Sequence, residues 1–159
     1  MKRYLLLALL ALGACQSNIA ALDTPPPSGS GGSVVVGTFS DFQTRLNTAR
    51  ATPGLNPLSY NAQLAAAAQV HADDMSANNF FDHVGSDGST FDQRIRAQGY
   101  DYAWAGENIA VGYTSQAAVF DGWMNSPPHR ANMLSAQPTE FGLAWANGNY
   151  WVLELARPR

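Results

Sequence analysis

Glu140-Phe141-Gly142-Leu143-Ala144-Trp145-Ala146-Asn147-Gly148-Asn149-Tyr150-Trp151-Val152-Leu153-Glu154-Leu155-Ala156 brings the chain towards its end with two alternating runs around an Asn-Gly step. Phe141, Leu143 and Trp145 alternate with Glu140, Gly142 and Ala144, and Trp151, Leu153 and Leu155 keep the same period. A period of two marks strands that bury one face, and Asn-Gly between such runs is a strong hairpin signal. The spacing predicts an antiparallel hairpin of strands 140–146 and 150–156.

Helical patterns precede it. Ser40 and Gln43 are spaced as a capping box, which predicts a helix to about Arg50, stopped by Thr52-Pro53-Gly54. Leu55-Asn56-Pro57-Leu58 is read as a loop, and a second helix follows from Asn61 to about Asn78. Its inward stripe is Leu64, Ala68, His71/Ala72 and Met75. Thr90 and Gln93 open a further helix that Gly99 closes. Asn108–Val111 reads as a short strand. Ser115–Asn125 reads as a helix with Ala118, Val119 and Met124 inward, ended by Pro127-Pro128. Helices and antiparallel strands in this order predict an α+β layered domain rather than a doubly wound parallel sheet.

The 159 residues suffice for one domain, and 46% apolar content is enough for a core of its own. A net charge of −3, with Lys2 the single lysine, argues against nucleic acid as a partner. One cysteine excludes an intramolecular disulfide framework and a cysteine-rich zinc site.

That cysteine sits at the end of an export signal. Met1-Lys2-Arg3 is basic, and Tyr4–Leu12 is an unbroken apolar run of nine residues, about 14 Å as a helix and too short to span a bilayer. Residues 1–14 are read as a signal peptide. Leu12-Gly13-Ala14-Cys15 resembles the bacterial lipobox, after which the cysteine becomes a lipid-carrying N-terminus. Several acyl chains anchor stably where one does not. Cleavage leaves seven arginines against twelve acidic residues, so the membrane attachment rests on lipid rather than charge. Residues 15–38 form a tether, stiff at Pro25-Pro26-Pro27 and flexible through Ser28–Ser33, and residues 39–159 form the folded domain.

Three histidines are candidates for chemistry. His71 lies on the inward helical stripe and is read as a core or helix–helix polar contact. His83 follows Phe80-Phe81-Asp82 into a glycine-rich loop, and His129 follows the proline pair. Glu107, in Gly106-Glu107-Asn108, stands just before a strand. By residue type alone these are either capping groups or members of one site. Asp82, Asp87 and Asp92 lack the spacing of a calcium loop.

The same stretches carry a resemblance. Phe80–His83, Gly106-Glu107-Asn108-Ile109-Ala110 and Trp123-Met124-Asn125-Ser126-Pro127-Pro128-His129-Arg130-Ala131-Asn132-Met133-Leu134 resemble three signatures of the CAP superfamily. The likeness runs from about Phe39 to Pro158 and is strongest to the bacterial branch. It implies a three-layer α-β-α sandwich with a twisted antiparallel sheet. It also implies a cleft of two histidines and acids that in some members holds zinc or another divalent ion. Carried over residue by residue, the set is His83, Glu107 and His129. Ser126 stands where eukaryotic members have a second glutamate, so one acid is missing, and their disulfides are absent too.

Two histidines and a glutamate are a ligand set that catalytic zinc uses. Yet Glu107 cannot easily be both ligand and general base. No His-Glu-x-x-His helix, Gly-x-Ser-x-Gly elbow or activated cysteine accompanies them. Glu107 therefore has two open roles: metal ligand, or an anion that holds one imidazole and raises its pKa. The aromatic residues, Trp145 and Trp151 among them, are read as core and cleft walls rather than a carbohydrate platform. The expected function is a lipid-anchored cell-envelope module whose cleft takes a divalent ion or a small ligand, peptide or envelope component. Gln16 after the cysteine points to the outer membrane if the host is Gram-negative. The alternative is a metal-dependent hydrolase of peptide or cell-wall material; lipid or sterol carriage has no residue-level support.

Overall fold

The structure is a computed structural model that describes residues 39–159; the signal peptide (1–14) and tether (15–38) expected from the sequence lie outside the described residues. The elements run α1 (Ser40–Ala51), β1 (Ser59–Tyr60), α2 (Ala62–Asn78), α3 (Phe91–Ala97), β2 (Tyr102–Val111), α4 (Gln116–Asn125), α5 (Pro127–Met133), β3 (Glu140–Ala146) and β4 (Tyr150–Pro158).

Local chemistry sets most boundaries. Asn61 caps α2 by accepting from the backbone N–H groups of Gln63 and Leu64, and Asn79 ends it in the left-handed region at φ 52°. Thr90 and Gln93 form the expected capping box of α3. Ser115 caps α4 through the N–H of Ala118. The capping box expected at Ser40 does not form: Phe39 is the N-cap and makes no side-chain cap, while Ser40 already lies inside α1. Pro127 ends α4 but also begins α5, where a missing N–H leaves nothing unsatisfied.

The sheet order is β1-β3-β4-β2. The hairpin β3–β4 forms in the predicted register around Asn147-Gly148, with Gly148 and Asn149 both at positive φ. β2 pairs antiparallel with β4 and runs for ten residues, longer than the four expected at 108–111. The missed part, 102–106, is intermediate or exposed along its length and shows no buried alternation that would mark it as a strand. β1 adds two parallel pairs to β3, so the sheet is mixed rather than wholly antiparallel.

Side chains leave the sheet alternately to its two faces. One face carries Phe141, Leu143, Trp151, Leu153 and Leu155, packed with Phe42 and Leu46 of α1, Phe120 and Trp123 of α4, and Met133 of α5. Ala144, Ala146, Ile109 and Val152 face the other way, onto Ala68, Ala72 and Met75 of α2. The layers are thus α-β-α. Gly142 lets α2 come close: a Cβ there would stand 2.1 Å from the Ala65 backbone nitrogen. Trp145 departs from the expected pattern, remaining 43% exposed at the end of β3.

Candidate functional site

Consecutive residues of β2 point to opposite faces, and the site is built on that fact. Glu107 turns to the α2 side and Asn108 to the α4–α5 side. Each fastens one histidine-bearing segment. Glu107 Oε1 accepts from His83 Nδ1 at 2.7 Å, and Asn108 Nδ2 donates to the His129 carbonyl at 3.1 Å. Asn132 donates to Asn108 Oδ1 at 2.9 Å and steadies that second contact. The segments that carry the two imidazoles are thereby fastened to neighbouring residues of β2 from opposite layers.

The His83 loop is held on both sides. His71, fully buried on α2, bonds through Nε2 to the Asp82 carbonyl at 2.8 Å. The carbonyl is an acceptor, so His71 donates there as the Nε2–H tautomer. Arg94 of α3 donates to the His83 carbonyl at 3.0 Å and to Glu107 Oε2 at 2.8 Å. Both oxygens of Glu107 are therefore engaged, and its side chain is 1% exposed, while the His83 side chain is 52% exposed. His129 Nδ1 meets Ser126 Oγ at 2.9 Å, so the serine that replaces a carboxylate still partners the imidazole. Among the described residues no hydrogen bond occupies Nε2 of His83 or of His129.

Electrostatics sets the two histidines apart. The Glu107 hydrogen bond raises the His83 pKa against the opposing effect of burial. Burial, then the charge of His83, pushes His129 down. Burial also pushes Glu107 upward, but His83 and the Arg94 charge outweigh it and leave the carboxyl below its ordinary value. Beside it in the ladder stands Glu154 of β4, fully buried and directly opposite Glu107. Burial and then the Glu107 charge hold the Glu154 pKa well above the ordinary carboxylate range. Neither Glu154 oxygen finds a hydrogen-bond donor among the described residues.

Of the sequence-predicted residues, His83 and Glu107 meet directly and His129 arrives from the other layer. In the structure Glu107 holds the His83 imidazole and raises its pKa, and its second oxygen bonds Arg94. Among the described residues no group of three His, Cys, Asp or Glu is arranged to hold a metal ion. The sequence reading missed Arg94, Asn108, Asn132 and Glu154. For Glu154 a signal existed: it is the lone acid inside the apolar run 151–156.

An α-β-α layered domain whose histidine segments are tied to one Gly-Glu-Asn strand defines the class of the molecule. The family model of the cysteine-rich secretory protein family, CAP, matches residues 43–155, and the chain belongs to that family. The uncharacterized protein YkwD of Bacillus subtilis is 37% identical over 108 residues, 67% of this chain and 42% of that protein. The uncharacterized membrane protein YlbC of the same species is 35% identical over 97 residues, 61% of this chain and 28% of that protein. The chain thus spans less than half the length of either relative. Among solved structures, an extracellular SCP-domain protein of Bacillus anthracis superposes with a TM-score of 0.71 at 30% identity, over 74% of this chain and 39% of that one. An outer surface protein of Borrelia burgdorferi shares the fold at a TM-score of 0.68 and 19% identity, over 76% of this chain and 96% of that one.

Proposed function

We propose that this chain is a lipid-anchored CAP domain of the cell envelope, and that the edge formed by His83 and His129 binds a small ligand or divalent ion such as zinc through the two imidazole Nε2 atoms. The carrying observation is that both Nδ1 atoms are committed, to Glu107 and to Ser126, which leaves each ring with one nitrogen to offer. A carboxylate behind a histidine fixes its tautomer and raises its basicity, as it does behind metal-bound histidines. Zinc titration of the purified protein by calorimetry tests the reading. Saturable binding lost in both His83→Ala and His129→Ala is expected; no binding of zinc, nickel or copper up to about 1 mM removes the metal version.

The anchor rests on Leu12-Gly13-Ala14-Cys15 and the single cysteine. Cys15→Ser is expected to abolish lipid attachment, read by detergent partitioning and mass spectrometry. An unmodified cysteine in a soluble mature protein would sink it. Hydrolysis of peptide or cell-wall material remains the second reading, favoured by one observation. The pKa values of the two imidazoles are pushed in opposite directions, as a paired acid and base require. Turnover that vanishes in either histidine variant would establish it.

A further inference from the structure

Trp145 breaks the packing rule of its own strand. Phe141 and Leu143, on the same face of β3, are fully buried, yet Trp145 keeps 43% of its surface in water. Its ring lies 6.3 Å from that of Trp151 across the hairpin, at an interplanar angle of 52°. Trp151 is buried and fixed, with Nε1 donating to the Tyr113 carbonyl at 2.7 Å. An indole held rigid against a second indole, with one side exposed, is a platform rather than a plug.

A cavity of about 420 Å³ opens between this pair and the first turns of α1 and α4, bordered by Asp41, Thr114, Ser115 and Gln116. That volume is within the usual range for small-ligand sites, about 300–1,000 Å³. Gln116 Oε1 accepts from the Phe42 N–H at 3.0 Å and ties the two helix starts together at the cavity wall. Asp41 Oδ2 pairs with Arg45 Nε at 3.0 Å, and Oδ1 remains to accept from a ligand. Ser115 Oγ accepts from the Ala118 N–H, so its hydroxyl proton is still available to donate.

The lining selects its ligand. Among the described residues Asp41 is the one charged residue bordering the cavity, and it disfavours an anion. A wholly apolar ligand would strip water from a carboxylate and two hydroxyls without replacing it, a costly exchange. A pyranose ring offers what remains: a face of C–H groups for the indole and a rim of hydroxyls for Asp41, Thr114 and Ser115. Hydroxyl-to-carboxylate bonds are charge-assisted and fix orientation. We infer that this cavity is a subsite for a neutral saccharide, with a sugar ring stacked on Trp145 and a hydroxyl held by Asp41. None of its lining residues belongs to the histidine edge.

The test titrates the full chain with neutral trisaccharides, one of glucose and one of N-acetylglucosamine, followed by calorimetry and by the indole N–H signals in NMR. Binding that shifts the Trp145 indole is expected for at least one of them. Trp145→Ala should weaken that binding at least about tenfold, Trp145→Phe and Asp41→Asn less, and His83→Ala not at all. Melting temperature and circular dichroism check that the variants fold. Absence of any indole shift up to about 20 mM overturns the proposal, as does saccharide binding indifferent to Trp145→Ala. Tighter binding of tetramethylammonium than of either sugar also overturns it, since an aromatic face beside a carboxylate would then be a cation site.

Discussion

Both faces of the sheet bury apolar side chains, but only one adds a cluster of ionisable groups beside them. Towards α1, α4 and α5 the strands bury Phe141, Leu143, Leu153 and Leu155 against Phe42, Phe120 and Trp123, in edge-on ring contacts such as Phe42–Trp123 at 5.8 Å. Towards α2 and α3 the same strands bury Glu107 and Glu154 among His71 and Arg94. The first face is held by area removed from water, a sum of many small contributions that degrades gradually. The second adds to such burial a cluster of charges in which each member makes the others tolerable. The domain places its chemistry over the second kind of core and its bulk stability in the first.

Replacements can break or sharpen this contrast. Arg94→Met should do most harm, about 3–5 kcal/mol by chemical denaturation, because it strands the buried carboxylate of Glu107. A loss below about 1 kcal/mol would mean that the charged face does not act as a unit. On the apolar face Leu153→Ala should cost about 2–5 kcal/mol through cavity formation, and it should leave the His83 titration untouched. Gly142→Ala should cost about 1–3 kcal/mol, since the added Cβ meets backbone of α2 rather than a movable side chain.

Two further changes have smaller effects and sharper signs. Folded Glu154 keeps a proton that the unfolded chain releases above its ordinary value of 4.5. Its contribution is therefore fully present below that pH and is lost as the pH rises towards the folded value. Glu154→Gln should remove this slope, melting higher than the parent at pH 7 and alike at pH 4. His83→Ala should cost less than about 1 kcal/mol, because the side chain is half in water. By NMR, His83 should titrate above 6.5 and His129 below it, and Glu107→Gln should bring His83 down.

What the sequence made legible was whatever the backbone itself dictates. Asn61, Thr90 and Ser115 cap where they should because a cap is a contact within four residues. Asn147-Gly148 turns the hairpin for the same reason. The long-range partnerships were opaque. Arg94 sits where α3 ends and reads as an ordinary exposed cation; nothing local tells that it is buried across from Glu107. Glu154 shares its strand face with Val152 and Ala156, an apolar setting that marks it as buried, but nothing local names Glu107 as the residue across from it. β1 is too short to carry a period at all. Trp145 sits on the apolar beat, yet it borders a cavity and stays 43% exposed. His83, Glu107 and His129 were found through the likeness of their motifs, whereas the division of labour between Glu107 and Ser126 came from the coordinates.

Glu107 and Asn108, facing opposite layers, also carry a consequence for how the chain reaches this state. A slip of β2 by one residue against β4 would turn Glu107 under the aromatic layer and Asn108 towards Arg94. Arg94 would lose its carboxylate and an ionised acid would be forced among phenylalanines, while the His129 segment would lose its amide clasp. Each error is expensive alone, and a single slip commits all of them together. The pair thus makes the register that aligns the histidine segments the one the sheet favours, with or without a ligand.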